Sequence, residues 1–173
     1  MADGYRESEP SWSAVLLDMT SWGRTTPPKW AIGDGAWGFW AALEKLYPET
    51  RQQRCWGHKA ANVISKCPKR LPSQAKDQLR EIVTAETQAD AQRALDLFLE
   101  TYRGNYPAAA ACLEKDRQKL LTFYDFPAAH WRPIRTTHPI ERATAGSSGR
   151  FCVAAPLIVN KRDASKWRWN IHL

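Results

Sequence analysis

The chain has no stretch of 18 apolar residues, so nothing in it is built to cross a membrane as a helix. Its first 30 residues lack a basic start followed by an apolar core, and no secretory signal is read there; a cytoplasmic protein is expected. Cysteine is sparse. Cys55, Cys67, Cys112 and Cys152, in a chain without an export signal, read as reduced thiols. Internal repeats and long low-complexity tracts are absent, and 43% apolar with 25% charged residues excludes wholesale disorder. At 173 residues there is material for one domain of ordinary size.

Two things are in excess. Nine tryptophans is high for this length, and the net charge of +7 points to an acidic partner, nucleic acid first. The charge is unevenly spread. Residues 1–50 are acidic on balance, whereas residues 51–80 set Arg51, Arg54, Lys59, Lys66, Lys69, Arg70, Lys76 and Arg80 against Asp77 alone. Such a block can follow a phosphate backbone, releasing counterions as it does so, or it can be a solvated helix face. Charge by itself leaves both readings open.

Local patterns supply the elements. Ser8 and Pro10 suit a helix start, and Trp12, Val15, Leu16, Met19 and Trp22 share one face up to Gly23. Residues 29–33 read as a short buried strand ending in an Asp34-Gly35 turn. Ala36–Tyr47 reads as a helix with Phe39, Leu43 and Leu46 inward. Residues 53–56 suggest another short strand, followed by a helix over about 58–65. From Pro72 the pattern is helical. Thr87 with Asp90 starts a helix whose face is Ala91, Leu95, Phe98, Leu99 and Tyr102. Pro107 opens another, with Ala110, Leu113, Leu120 and Tyr124 as its stripe. His138-Pro139-Ile140-Glu141 reads as a loop entering a further helix, and beyond Ala145 no helical or strand period survives.

Three groups could carry chemistry. Asp34, between Gly33 and Gly35, stands at the end of a buried strand, where open α/β sheets hold ligands; a plain Asp-Gly turn is the alternative. Glu141 in a first helical turn is favoured by the helix dipole, and the capping-box explanation is weakened because position 138 is His. Cys55-x-x-His58, with Cys67, has one tight pair where structural zinc wants two.

Four ordered blocks then coincide: Asp3–Ser8, Ala31–Trp40, Arg54–Val63, and Phe123–Pro127 leading to Arg135–Glu141. In that order and spacing the chain resembles the Mutator-type family of bacterial insertion-sequence transposases over about residues 2–144. The resemblance implies an α/β protein, mostly α in this fragment. It would be a partial ribonuclease-H-like fold in residues 1–145, with a mainly helical insertion over about 72–130. It further implies a DDE transposase, acting by metal-dependent phosphodiester cleavage and strand transfer in DNA transposition. Asp34 and Glu141 become the second and third acidic residues of a triad that holds two Mg²⁺ ions, and Cys55 and His58 the supporting C-x-x-H motif. Arg54, Lys59, Lys66, Lys69 and Arg70 are the expected DNA contacts. Element ends and target DNA are the partners, and self-association is left open.

The departures from the family shape the remaining expectations. The first catalytic Asp matches neither Asp3 nor Asp18, so a copy inactive alone is expected, with a sheet edge exposed where earlier strands would pair. His138 stands where the family has Asn. Residues 146–173 read as a divergent tail, like translation in a shifted frame. The alternatives are a non-catalytic DNA-binding or subunit-interaction remnant, or a metal-free helical protein in which Asp34 and Glu141 are surface acids.

Overall fold

A computed structural model of the chain describes residues 8–21, 26–68, 72–137, 151–152, 157–158 and 169–170. The described residues divide into two compact units, one drawn from residues 1–53 and 137–173, the other spanning 54–136. Most elements are helical, and among the described residues no helix is long and apolar enough to cross a membrane.

The first unit begins with α1 (Glu9–Ser21), followed by β1 (Trp30–Gly33), α2 (Trp37–Leu46) and β2 (Arg51–Arg54). Every residue of β1 is buried, as the short apolar run predicts. Helix α1 packs on α2: Leu16, Phe39 and Leu43 are buried together with Ala31 of β1, and Trp12 meets the Phe39 ring edge-on at 5.3 Å. The turn after α2 is tied down by polar groups. Tyr47 Oη–H donates to the Leu16 carbonyl at 3.3 Å, and Thr50 Oγ1–H to the Pro28 carbonyl at 2.7 Å.

Strand β1 is the middle of a three-stranded sheet ordered β2-β1-β4, where β4 is Leu157–Ile158. The β1–β4 pairing is parallel, in register Ala31 with Leu157 and Ile32 with Ile158. A segment whose sequence shows no helical or strand period provides this pairing strand. It also provides β3 (Phe151–Cys152) and β5 (Trp169–Asn170), parallel to each other. Two residues suffice for a ladder because the backbone supplies the bonds, whatever the side-chain period.

The second unit is helical: α3 (Trp56–Ile64), α4 (Pro72–Thr84), α5 (Gln88–Arg103), α6 (Pro107–Glu114), α7 (Arg117–Leu121) and α8 (Trp131–Ile134), with short 3-10 turns over Thr122–Asp125 and Ala128–His130. Thr87 caps α5 as its sequence predicts, accepting the Asp90 N–H at 3.1 Å. The anticipated stripe Ala91, Leu95, Phe98, Leu99 and Tyr102 is buried, and the Phe98 and Tyr102 rings stack 4.2 Å apart.

Two boundaries move. The second strand occupies 51–54 rather than 53–56, because Cys55 becomes the residue before α3 and Trp56 its first. Trp56 is drawn into the core, where its indole N–H donates to the Leu120 carbonyl at 2.8 Å. The helix expected from Pro107 through Tyr124 breaks at Lys115-Asp116, and Tyr124 lies in a 3-10 turn with its hydroxyl donating to the Ala85 carbonyl at 2.8 Å.

Candidate active site

Strand β1 delivers Asp34. Trp30, Ala31 and Ile32 are almost wholly buried, and the chain emerges at Asp34, which is partly exposed. Gly33 allows this emergence to be tight. A Cβ there would stand 2.9 Å from Trp40 Cζ2 and 3.2 Å from the Phe39 ring, so the aromatic pair of α2 closes directly over the strand end. Gly35 then takes φ 97°, the left-handed region that favours glycine. The Ala36 N–H donates to Asp34 Oδ1 at 3.1 Å, and this two-residue loop orients the carboxylate. Among the described residues that is its one hydrogen bond, so most of its acceptor capacity is open. Helix α2 starts at Trp37, 76% exposed.

The second unit holds the C-x-x-H pair. Cys55 is fully buried and precedes α3, His58 lies in its first turn, and the thiol sits 3.3 Å from His58 Nδ1. Thr136 Oγ1 lies 3.7 Å from the same sulfur. The Trp56 N–H donates to the Arg135 carbonyl at 3.0 Å, so the start of α3 is clamped to the Arg135-Thr136 segment. The guanidinium of Arg135 in turn donates to the Val83 carbonyl at 2.6 Å near the end of α4. Burial pulls the pKa of Arg135 below the ordinary arginine value. Cys67 does not join the pair: its thiol donates to the Val63 carbonyl at 3.6 Å, and burial pushes its pKa up.

Arg54 and Lys59, two of the expected DNA contacts, are both buried. They are 7% and 3% exposed, and both converge on Asp116 Oδ2, at 3.2 and 2.6 Å. The break between α6 and α7 is what brings Asp116 to them. Burial pushes the Asp116 carboxyl up, but the hydrogen bond and charge of Lys59 outweigh it, with Arg54, and the net direction is downward. Nothing in the local pattern around Asp116 singles it out, since its partners lie far away in sequence.

Lys66 is exposed, as are Arg51, Lys76 and Arg80. Glu141, Lys69 and Arg70 lie outside the described residues, as does His138. Among the described residues no three His, Cys, Asp or Glu side chains group as a metal site.

The family model described as "Transposase, Mutator family" matches residues 1–146. The transposase for insertion sequence element IST2 of Acidithiobacillus ferrooxidans is 54% identical over 145 residues, 84% of this chain and 49% of that protein. The transposase for IS6120 of Mycolicibacterium smegmatis is 45% identical over 145 residues, 84% of this chain and 45% of its own length. The transposase for IS905 of Lactococcus lactis is 31% identical over 135 residues, covering 78% of this chain and 34% of that protein. The chain therefore spans about half the length of the first two and a third of the other.

Proposed function

The chain belongs to the Mutator family of transposases, and from that premise we propose that it carries part of a DDE centre for cutting and joining DNA. Asp34 and Glu141 are its catalytic and metal-binding carboxylates, in a ribonuclease-H-like framework whose helical insertion runs over about 72–130. The observation that carries this reading is Asp34 itself. It is a partly exposed carboxylate at the end of a wholly buried strand, oriented by one backbone N–H and, among the described residues, otherwise open. A surface acid in an ordinary turn has no need of the tight Gly33 packing behind it.

The donor chemistry fits a hard divalent cation. Asp34 offers carboxylate oxygen, which suits Mg²⁺, whereas the Cys55 thiol is buried and occupied with His58 and Thr136. Asp34 with Glu141 would hold the metal, and a pair of Mg²⁺ ions supplies activation of the attacking oxygen and charge stabilisation at the leaving oxygen. The chain's own residues set the stage for this. The Ala36 N–H aims the carboxylate, Gly33 keeps the strand end close under α2, and the Cys55–His58 pair braces the start of α3. DNA is the partner, and Lys66, Lys69 and Arg70 take its phosphates, whereas Arg54 and Lys59 serve the interior through Asp116.

A second reading, DNA binding without chemistry, is favoured by the exposed Lys66, Lys76 and Arg80. One experiment separates the two. The 173-residue chain is incubated with supercoiled DNA and Mg²⁺, alongside Asp34→Ala and Glu141→Gln, while binding is followed across salt. We expect salt-dependent binding without nicking, because these residues include two carboxylates of the three in the triad. A stabilisation of the fold by Mg²⁺ that Asp34→Ala removes is the positive sign of the metal site. Nicking that Asp34→Ala abolishes would overturn the expected inactivity, and Mg²⁺ insensitivity would overturn the metal site.

A further inference from the structure

Six tryptophans have described side chains, and five of them are packed. Trp30, Trp40 and Trp56 are 3%, 9% and 2% exposed; Trp12 and Trp131 are half-buried against Phe39 and against Phe123 with Tyr124. Trp37 is the exception. It is 76% exposed, touches no other aromatic ring among the described residues, and opens α2. The core has no use for it, since Phe39, Trp40 and Leu43 supply the inward face of the same helix. An indole kept in water is the side chain to examine for a partner with a flat apolar face.

Its position says which partner. Only Gly35 and Ala36, both small, separate it from Asp34, and the turn through Gly35 leaves the carboxylate and the ring at one end of β1. We infer that Trp37 is a stacking platform for a nucleobase of the DNA strand whose backbone lies at Asp34. The inference rests on the DNA reading proposed above and adds to it a positioning residue. A nucleobase offers the planar π face that an exposed indole accepts, whatever the sequence, and a base held there would fix the register of the adjacent phosphodiester against the carboxylate. This role concerns grip and register, not bond making. Trp37 is accordingly not a catalytic residue.

The test compares the full chain with Trp37→Ala and Trp37→Phe. Binding is measured with a short single strand carrying a fluorescent base analogue, and thermal unfolding is recorded for each variant. The expected result is a roughly tenfold weaker complex and lost quenching of the analogue for Trp37→Ala. Trp37→Phe should restore most of both, with the salt dependence of binding and the melting temperature unchanged throughout. Unaltered binding and quenching in Trp37→Ala, while the parent binds DNA, overturns the inference and leaves the DNA reading standing. A lowered melting temperature shows that the ring is a packing residue and also overturns it. Failure of the parent chain to bind DNA removes the reading and the inference with it.

Discussion

Replacing Asp116 by Asn is the sharpest probe of how the helical unit is held together. Asn keeps the shape and one acceptor oxygen, so the change isolates charge. Lys59, with 4% of its side chain exposed, would keep its ammonium buried, with Arg54 converging on the same position, and lose the carboxylate charge 2.6 Å away. Breaking a fully buried pair by removing one partner costs about 3–5 kcal/mol. The Asp116 side chain is 20% exposed, so solvent screens part of this, and about 2–4 kcal/mol is the expected loss. Urea unfolding at neutral pH, followed by circular dichroism, reads it directly. Adding Lys59→Met should recover part of the loss, because an apolar side chain of similar length needs no counter-charge, and the double-mutant cycle should show coupling above about 1 kcal/mol.

The pH dependence provides an independent check on the same cluster. The folded-state pKa of Asp116 is lowered, so its stabilisation is complete above the ordinary carboxylate value of about 4 and is lost as pH falls through the lowered folded value. Parent and Asp116→Asn should therefore converge in stability as pH falls below about 4. A neutral-pH loss under about 1 kcal/mol, or a gap that persists in acid, would refute the account of a charge-dependent cluster.

Three further outcomes follow from the packing. Gly33→Ala should cost about 1–3 kcal/mol in urea unfolding, since the new methyl meets Trp40 at 2.9 Å, and it should weaken any Mg²⁺ stabilisation by displacing the strand end. Trp56→Phe removes the hydrogen bond to the Leu120 carbonyl and leaves a small void beside the smaller ring; a loss of about 1–3 kcal/mol is expected in the same assay. Thr87→Ala removes the cap of α5 at an exposed site and should lower stability by about 1 kcal/mol, while Thr87→Ser should restore it.

Much of the molecule was legible in the chain because its signals are local. The apolar run before Asp34-Gly35 announced β1 and put a carboxylate at its end, and Thr87 with the Ala91–Tyr102 stripe announced α5 and its buried face. Periodicity failed where tertiary partners outvoted it. The second strand lies two residues earlier than its composition suggested because Trp56 is claimed by the core at Leu120. The stripe from Pro107 to Tyr124 looked continuous, yet the helix breaks at Asp116.

By itself, then, the sequence determined the helical character of residues 72–124, the acidic strand end at Asp34 and the family to which the blocks belong. Short-range hydrogen bonding, capping and apolar spacing are written within a few residues of one another, and a chain can be read at that range. Which charges face inward and which aromatic stays out is set by long-range packing alone. Arg54 and Lys59 look like their neighbours Lys66 and Lys76 until Asp116, 62 and 57 residues away, takes them into the interior. Trp37 looks like Trp40 until α2 settles on β1 with one ring beneath it and the other in water. Burial is a property of the assembled surface, and no local pattern carries it.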